Sequence, residues 1–150
     1  MTVFYLDSSA WVKRYVREHG SVWINQQFEH EVLMGSSTLG LIEVMATFAR
    51  KRTAYAIDAV RFQQIENDVL DDWSGFFQME LTQDVVEQSL ELASTCALRG
   101  ADSVHLASAV ILKAKLAIEA NEFAFVTSDL ELMAAAFKTG LAVLDPREQA

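Results

Sequence analysis

The chain has 150 residues, 51% of them apolar, with six glycines, one proline and a single cysteine. This is enough chain for one domain with a real core. The composition excludes disordered, collagen-like and disulfide-scaffold classes. A formal net charge of −9 removes any general attraction for polyanions, so nucleic-acid contact would have to come from local basic clusters.

Two such clusters exist: Lys13, Arg14 and Arg17 in one segment, and Arg50, Lys51 and Arg52 in another. Cys96 is alone, which rules out an internal disulfide and a Cys-based zinc site. Its apolar, helical setting, LASTCAL, predicts a buried structural thiol. MTVFYLD lacks the basic start of a signal peptide. No apolar stretch approaches the roughly 18 residues of a membrane span. A cytoplasmic protein is expected.

In chain order, VFYL at 3–6 reads as a strand that stops at Asp7. WVKRYVREHG continues as a helix ended by Gly20, and SVWINQQF as a second short helix. EVLMGSST at 31–38 is a strand, and the spacing of Leu41, Val44, Met45 and Phe48 makes 39–52 a helix. A long amphipathic helix covers 54–73, and FFQMEL at 76–81 is a short strand. Thr82 caps a helix running to about Leu98, and ADSVHLASAVILKAKLA is again helical. EFAFVTS is a strand, DLELMAAAFKTG a helix closed by Gly140, and LAVLDP a last strand stopped by Pro146. Strands alternating with helices predict an α/β domain with a mainly parallel sheet.

Four acids stand apart. Asp7 and Asp129 each follow an apolar strand where a helix begins, at the sheet edge where α/β proteins bind ligands. Each also has an ordinary reading. Asp7 suits a helix cap, although Ser8 and Ser9 are competent caps as well. Ser128 and Glu131 form a capping box, which assigns the cap to Ser128 and leaves Asp129 to interact with the helix dipole. Glu43 lies in LGLIEVMATF among small neighbours; it is either exposed or buried with a partner. Asp102 follows Gly100 at a helix start, with Arg99 three residues away to pair with it. His105, one turn on, reads as a helix histidine satisfied by a neighbour. Three Asp and one Glu form an oxygen-only donor set suited to a hard cation such as Mg²⁺ or Mn²⁺. A cation so held offsets carboxylate repulsion, activates water and stabilises charge on a phosphoryl oxygen.

YLDSSAWVKRY at 5–15, SSTLGLIEVMATFARK at 36–51, LRGADSVHLASA at 98–109 and FVTSDLELMAAA at 125–136 occur in an order that resembles the PIN-domain ribonucleases. The resemblance is strongest to the VapC-type toxins of toxin–antitoxin pairs. It implies one PIN-like domain over 1–150, a three-layer α/β/α sandwich, and a site on Asp7, Glu43, Asp102 and Asp129. It further implies Mg²⁺ or Mn²⁺ held by Asp7, Asp102 and Asp129, directly or through water, with Glu43 also in the metal-binding set. Glu43 would complete the acidic pocket or orient the attacking water, and cleavage of RNA (tRNA, rRNA or mRNA) would leave 5′-phosphate and 3′-hydroxyl ends. Ser9, Thr127 and Ser128 match polar positions that support the acids or position substrate, and His105 matches a structural histidine. Lys13, Arg14, Arg50, Lys51 and Arg52 are candidates for RNA backbone contacts. An antitoxin partner and a homodimer are implied, with Phe62, Ile65 and Trp73 on the long helix as either dimer contacts or core.

A catalytically inactive relative serving as a protein-binding module is the alternative; four intact acids argue against it. Phosphotransfer at a strand-terminal Asp, as in haloacid-dehalogenase-type phosphatases, needs a second Asp two residues on, where this chain has Ser9.

Overall fold

Aromatic and β-branched residues make Thr2–Leu6 (β1) a strand buried on both faces, and its backbone N–H and C=O groups, cut off from water, need a paired strand as neighbour along each edge. In the computed structural model, which describes residues 1–149, those neighbours are Val32–Ser37 (β2) and Phe123–Val126 (β4). Phe77–Met79 (β3) extends the sheet beyond β2, and Ala142–Leu144 (β5) beyond β4. The order is β3-β2-β1-β4-β5 and every pairing is parallel.

Parallel strands need crossovers, and helices supply them. Ser8–Trp11 (α1) and Ser21–Glu29 (α2) follow β1. Thr38–Arg50 (α3) and Ala59–Ser74 (α4) follow β2. Gln83–Cys96 (α5) and Gly100–Leu116 (α6) follow β3, and Leu130–Lys138 (α7) follows β4. Side chains alternate across a strand, so β1 feeds two cores. Val3 and Tyr5 pack with Leu106, Phe125 and Leu132 on one face. Phe4 and Leu6 pack with Trp11, Ile24, Phe48 and Ile65 on the other. This is the expected PIN-like α/β/α sandwich.

Several local expectations are corrected. The helix after Asp7 is short: α1 passes into a 3₁₀ turn, Val12–Arg14, and ends there. Arg14 and the Tyr15 hydroxyl both bond to Asp72 of α4, at 3.2 and 2.7 Å, and this tertiary anchoring overrides helical periodicity. Gly20 does not stop a helix; with φ of 99° it precedes α2 as its N-cap. A Cβ there would lie 2.9 Å from that of Pro146. The helix expected over 54–73 begins only at Ala59, capped by Asp58. Ile65 is fully buried, and Phe62 and Trp73 pack against the same core, so these three are core rather than dimer surface. Cys96 is only partly buried. Among the described residues no helix is long and apolar enough to cross a membrane.

Phe125 is fully buried and stacks on Tyr5 at 5.4 Å between ring centroids, whereas Phe137 is 76% exposed. Phe125→Ala is expected to cost about 3–5 kcal/mol in urea unfolding, and Phe137→Ala to change stability by no more than about 0.5 kcal/mol.

Candidate active site

The register Leu6↔Val126 brings the residues after β1 and β4 level with each other. Asp7 and Thr127, 120 residues apart, therefore meet: Thr127 Oγ1 donates to Asp7 Oδ2 at 2.6 Å. Asp7 also caps α1, accepting from the Ala10 N–H at 2.9 Å, and Ser9 Oγ donates to the same carboxylate at 2.8 Å. Asp7 thus takes the capping role that Ser8 and Ser9 were candidates for. Burial pushes its carboxyl above the ordinary range, opposed by the charge of His105 and by the Thr127, Ala10 and Ser9 donors.

The two hydroxyls also hold the chain after β4. Ser9 Oγ accepts from the Ser128 N–H, and Thr127 Oγ1 from the Asp129 N–H, both at 3.0 Å. Asp129, not Ser128, caps α7, through the Leu132 N–H at 3.0 Å. The capping-box expectation fails because Ser128 is engaged elsewhere, its Oγ donating to Asp145 at 3.2 Å.

Asp102 sits in the first turn of α6, half-buried. Desolvation raises its pKa, and the charges of Asp129 and then Asp7 raise it further, against weaker lowering by His105 and Arg99. Arg99 acts on Asp102 through its charge but forms no ion pair with it. Asp102 therefore feels the charge of both other aspartates. Among the described residues none of them is in an ion pair.

Glu43 has a partner. Its Oε1 lies 2.6 Å from Nε2 of His105, which is fully buried, and His105 Nδ1 is 2.9 Å from the Tyr5 hydroxyl. Burial raises the Tyr5 pKa well above its usual value, so the phenol stays protonated in that contact. Gly40 makes room for the ring: a Cβ there would come within 3.0 Å of His105 Cε1 and 2.7 Å of Ser36 Oγ.

The basic candidates separate. Arg14 is committed to Asp72 and to Asn25, at 2.8 Å, and covers the Phe28 ring at 4.1 Å. Arg52 lies over Phe62 at 4.9 Å. Arg50 and Lys51 are exposed at the end of α3, and Lys13 is buried beside Glu18. The expectations had no role for Asp145 and Arg147. Asp145 ends β5 as Asp7 ends β1, a pattern visible in LAVLDP. Burial pushes its carboxyl up, but Arg147 and Ser128 outweigh this and hold it below the usual range. Arg147 also donates to the Ser128 carbonyl at 2.8 Å.

No family model matches the sequence. Ribonuclease VapC45 from Mycobacterium tuberculosis (strain CDC 1551 / Oshkosh) is 36% identical over 110 residues, covering 73% of this chain and 76% of that protein. The chain belongs to the VapC ribonuclease family. VapC47 of the same strain is 28% identical over 148 residues, 96% of this chain and 97% of the relative. Among solved structures, a toxin–antitoxin complex from Klebsiella pneumoniae aligns over 99% of this chain and all of its own, with TM-score 0.65 and 17% identity. PAE2754 from Pyrobaculum aerophilum aligns over 97% of this chain and 90% of its own, with TM-score 0.63 and 16% identity. These likenesses bear on the fold, which they share with this VapC family member.

Among the described residues, no three His, Cys, Asp or Glu side chains are close enough together to enclose a metal ion as they stand. The donor chemistry nevertheless fits a hard cation: carboxylate oxygens that repel one another and lack a basic partner. The raised Asp102 pKa fixes the sign of a pH effect. At neutral pH its ionised form is penalised in the folded state; below the unfolded pKa of about 3.9 both states are protonated and the penalty vanishes. Asp102→Asn is therefore expected to raise the melting temperature at pH 7 in chelator-treated buffer, with the gain fading as the pH falls towards about 4. Melting curves across that range provide the check.

Proposed function

We propose that this chain is a Mg²⁺- or Mn²⁺-dependent endoribonuclease and the toxin of a toxin–antitoxin pair. The observation that carries the reading is the placing of Asp7 and Asp129 after two paired strands, with Asp102 near enough to feel both charges, in a chain of the VapC ribonuclease family. Asp7, Asp102 and Asp129 would hold the cation. When bound, it supplies water activation and charge stabilisation on the phosphoryl oxygen.

The protein's own residues do the rest. Ser9 and Thr127 orient the Asp7 carboxylate and leave it a net acceptor. Glu43, steadied by His105, completes the acidic pocket or orients the attacking water. An antitoxin that inserts an Arg side chain suits such a pocket, because a guanidinium pairs with carboxylates in two parallel hydrogen bonds. The homodimer expected from the sequence remains part of the proposal. Of the large apolar residues on α4, Val60 and Leu70 are the exposed ones.

Purified protein is expected to cut tRNA or rRNA with Mn²⁺ or Mg²⁺ and to stop when the metal is chelated. Asp7→Asn and Asp102→Asn should each lose more activity than the roughly 10–100-fold typical of removing an outer-shell partner of a metal. Undiminished, metal-dependent cleavage by Asp7→Asn would overturn the assignment of this site, and no cleavage by the native protein would favour a protein-binding role.

A further inference from the structure

Ser9, Lys13, Glu18, Lys51, Tyr55 and Ser128 line a cleft of about 270 Å³ beside the aspartates. Ser9 is the shared wall, since it lines this cleft and its hydroxyl bonds to Asp7. Lys13 is 5% exposed, and a buried ammonium is costly unless it is paired. It has three donors, yet among the described residues its one hydrogen bond is to Glu18 Oε1, at 3.1 Å. The other Glu18 oxygen accepts from the Tyr55 hydroxyl at 3.2 Å. An anionic group is thus already seated between an ammonium and a phenol. Lys51, exposed on the same cleft, makes no side-chain bond among the described residues.

These features matter because the chain carries a net charge of −9. Arg14 and Arg147 are each tied to an aspartate, so their charge is offset locally. The cleft, with two lysines to one glutamate among its lining residues, carries a positive excess next to the acids.

We propose that this cleft is an RNA backbone subsite that takes a phosphate flanking the scissile one. Lys13, Lys51 and the Tyr55 hydroxyl contact its oxygens, and Glu18 occupies the anion position until substrate enters. The proposal rests on the ribonuclease reading and adds to it a substrate-contacting surface and an internal competitor. Glu18 opposes binding, so its removal has the sign opposite to that of its neighbours.

The test is equilibrium binding of a fluorescent, short single-stranded RNA of mixed sequence to the full chain carrying Asp7→Asn, across a salt series. Glu18→Gln keeps an oxygen for Lys13 and is expected to tighten binding several-fold. Lys51→Met should weaken it several-fold and reduce the salt slope by about 0.7, the value for one single-strand phosphate contact. Tyr55→Phe should weaken it without changing that slope. Controls make the same charge changes at the opposite end of the strands: Glu119→Gln and Lys115→Met, both exposed. With Asp7 intact, the effects should fall on KM rather than kcat.

If Glu18→Gln matches Glu119→Gln, or Lys51→Met matches Lys115→Met, the subsite is wrong and the Glu18 contacts are a structural clamp. Metal-dependent cleavage with KM unmoved would reject the subsite and keep the ribonuclease. The expected binding pattern without cleavage under Mg²⁺ or Mn²⁺ would reject the ribonuclease and keep the RNA-binding cleft.

Discussion

The hydrogen bond from Thr127 Oγ1 to Asp7 ties the two central strands together at the point where the site begins. Asp7 is almost fully buried, and a buried carboxylate is tolerated only where donors surround it. Two hydroxyls and one backbone N–H provide them. The same two hydroxyls accept from the N–H groups of Ser128 and Asp129. The path of the chain into α7, and hence the position of Asp129, depends on how Asp7 is satisfied.

Charge is distributed unevenly around that bond. Glu43 rests on His105, and Asp145 on Arg147. Asp7 and Asp102 have no ion-pair partner among the described residues, and their carboxyls are pushed up by burial and, for Asp102, by Asp129 and Asp7, against the opposing charge of His105. Acids left in mutual repulsion reduce stability, and proteins retain such conflicts at functional sites while the rest of the fold is locally consistent. The conflict lies within α6 and the two strand ends; the core beneath, Tyr5 on Phe125 with Leu106, is close-packed and apolar.

Where local periodicity agreed with burial, the elements formed as expected. β1, β2, β4 and α6 each bury a continuous set of apolar or small residues, so one pattern determined both their type and their place. Periodicity misled where a distant side chain competed with the helix. The segment after Trp11 has helical spacing, but Arg14 and Tyr15 are drawn to Asp72, 58 and 57 residues away. Ser128 with Glu131 has the spacing of a capping box, but Asp145 captures the serine. Short-range patterns cannot register such partners, because the competing group lies far off in sequence.

Legible in the sequence were the strand–helix alternation, three aspartates at strand ends or a helix start with a glutamate inside a helix, and the hydroxyls beside the first and last of these acids. These are local properties: periodicity, turn chemistry and residue type. Only the tertiary structure decided the strand order and which groups satisfy which. Parallel register sets Thr127 against Asp7, and the packing of α3 on α6 gives Glu43 its histidine. Folding of the 15–20 segment seats Glu18 between Lys13 and Tyr55, while Arg14 is taken up by Asp72. Charge and hydrogen bonding act through space at a few ångströms, and that distance is fixed by packing, not by separation along the chain.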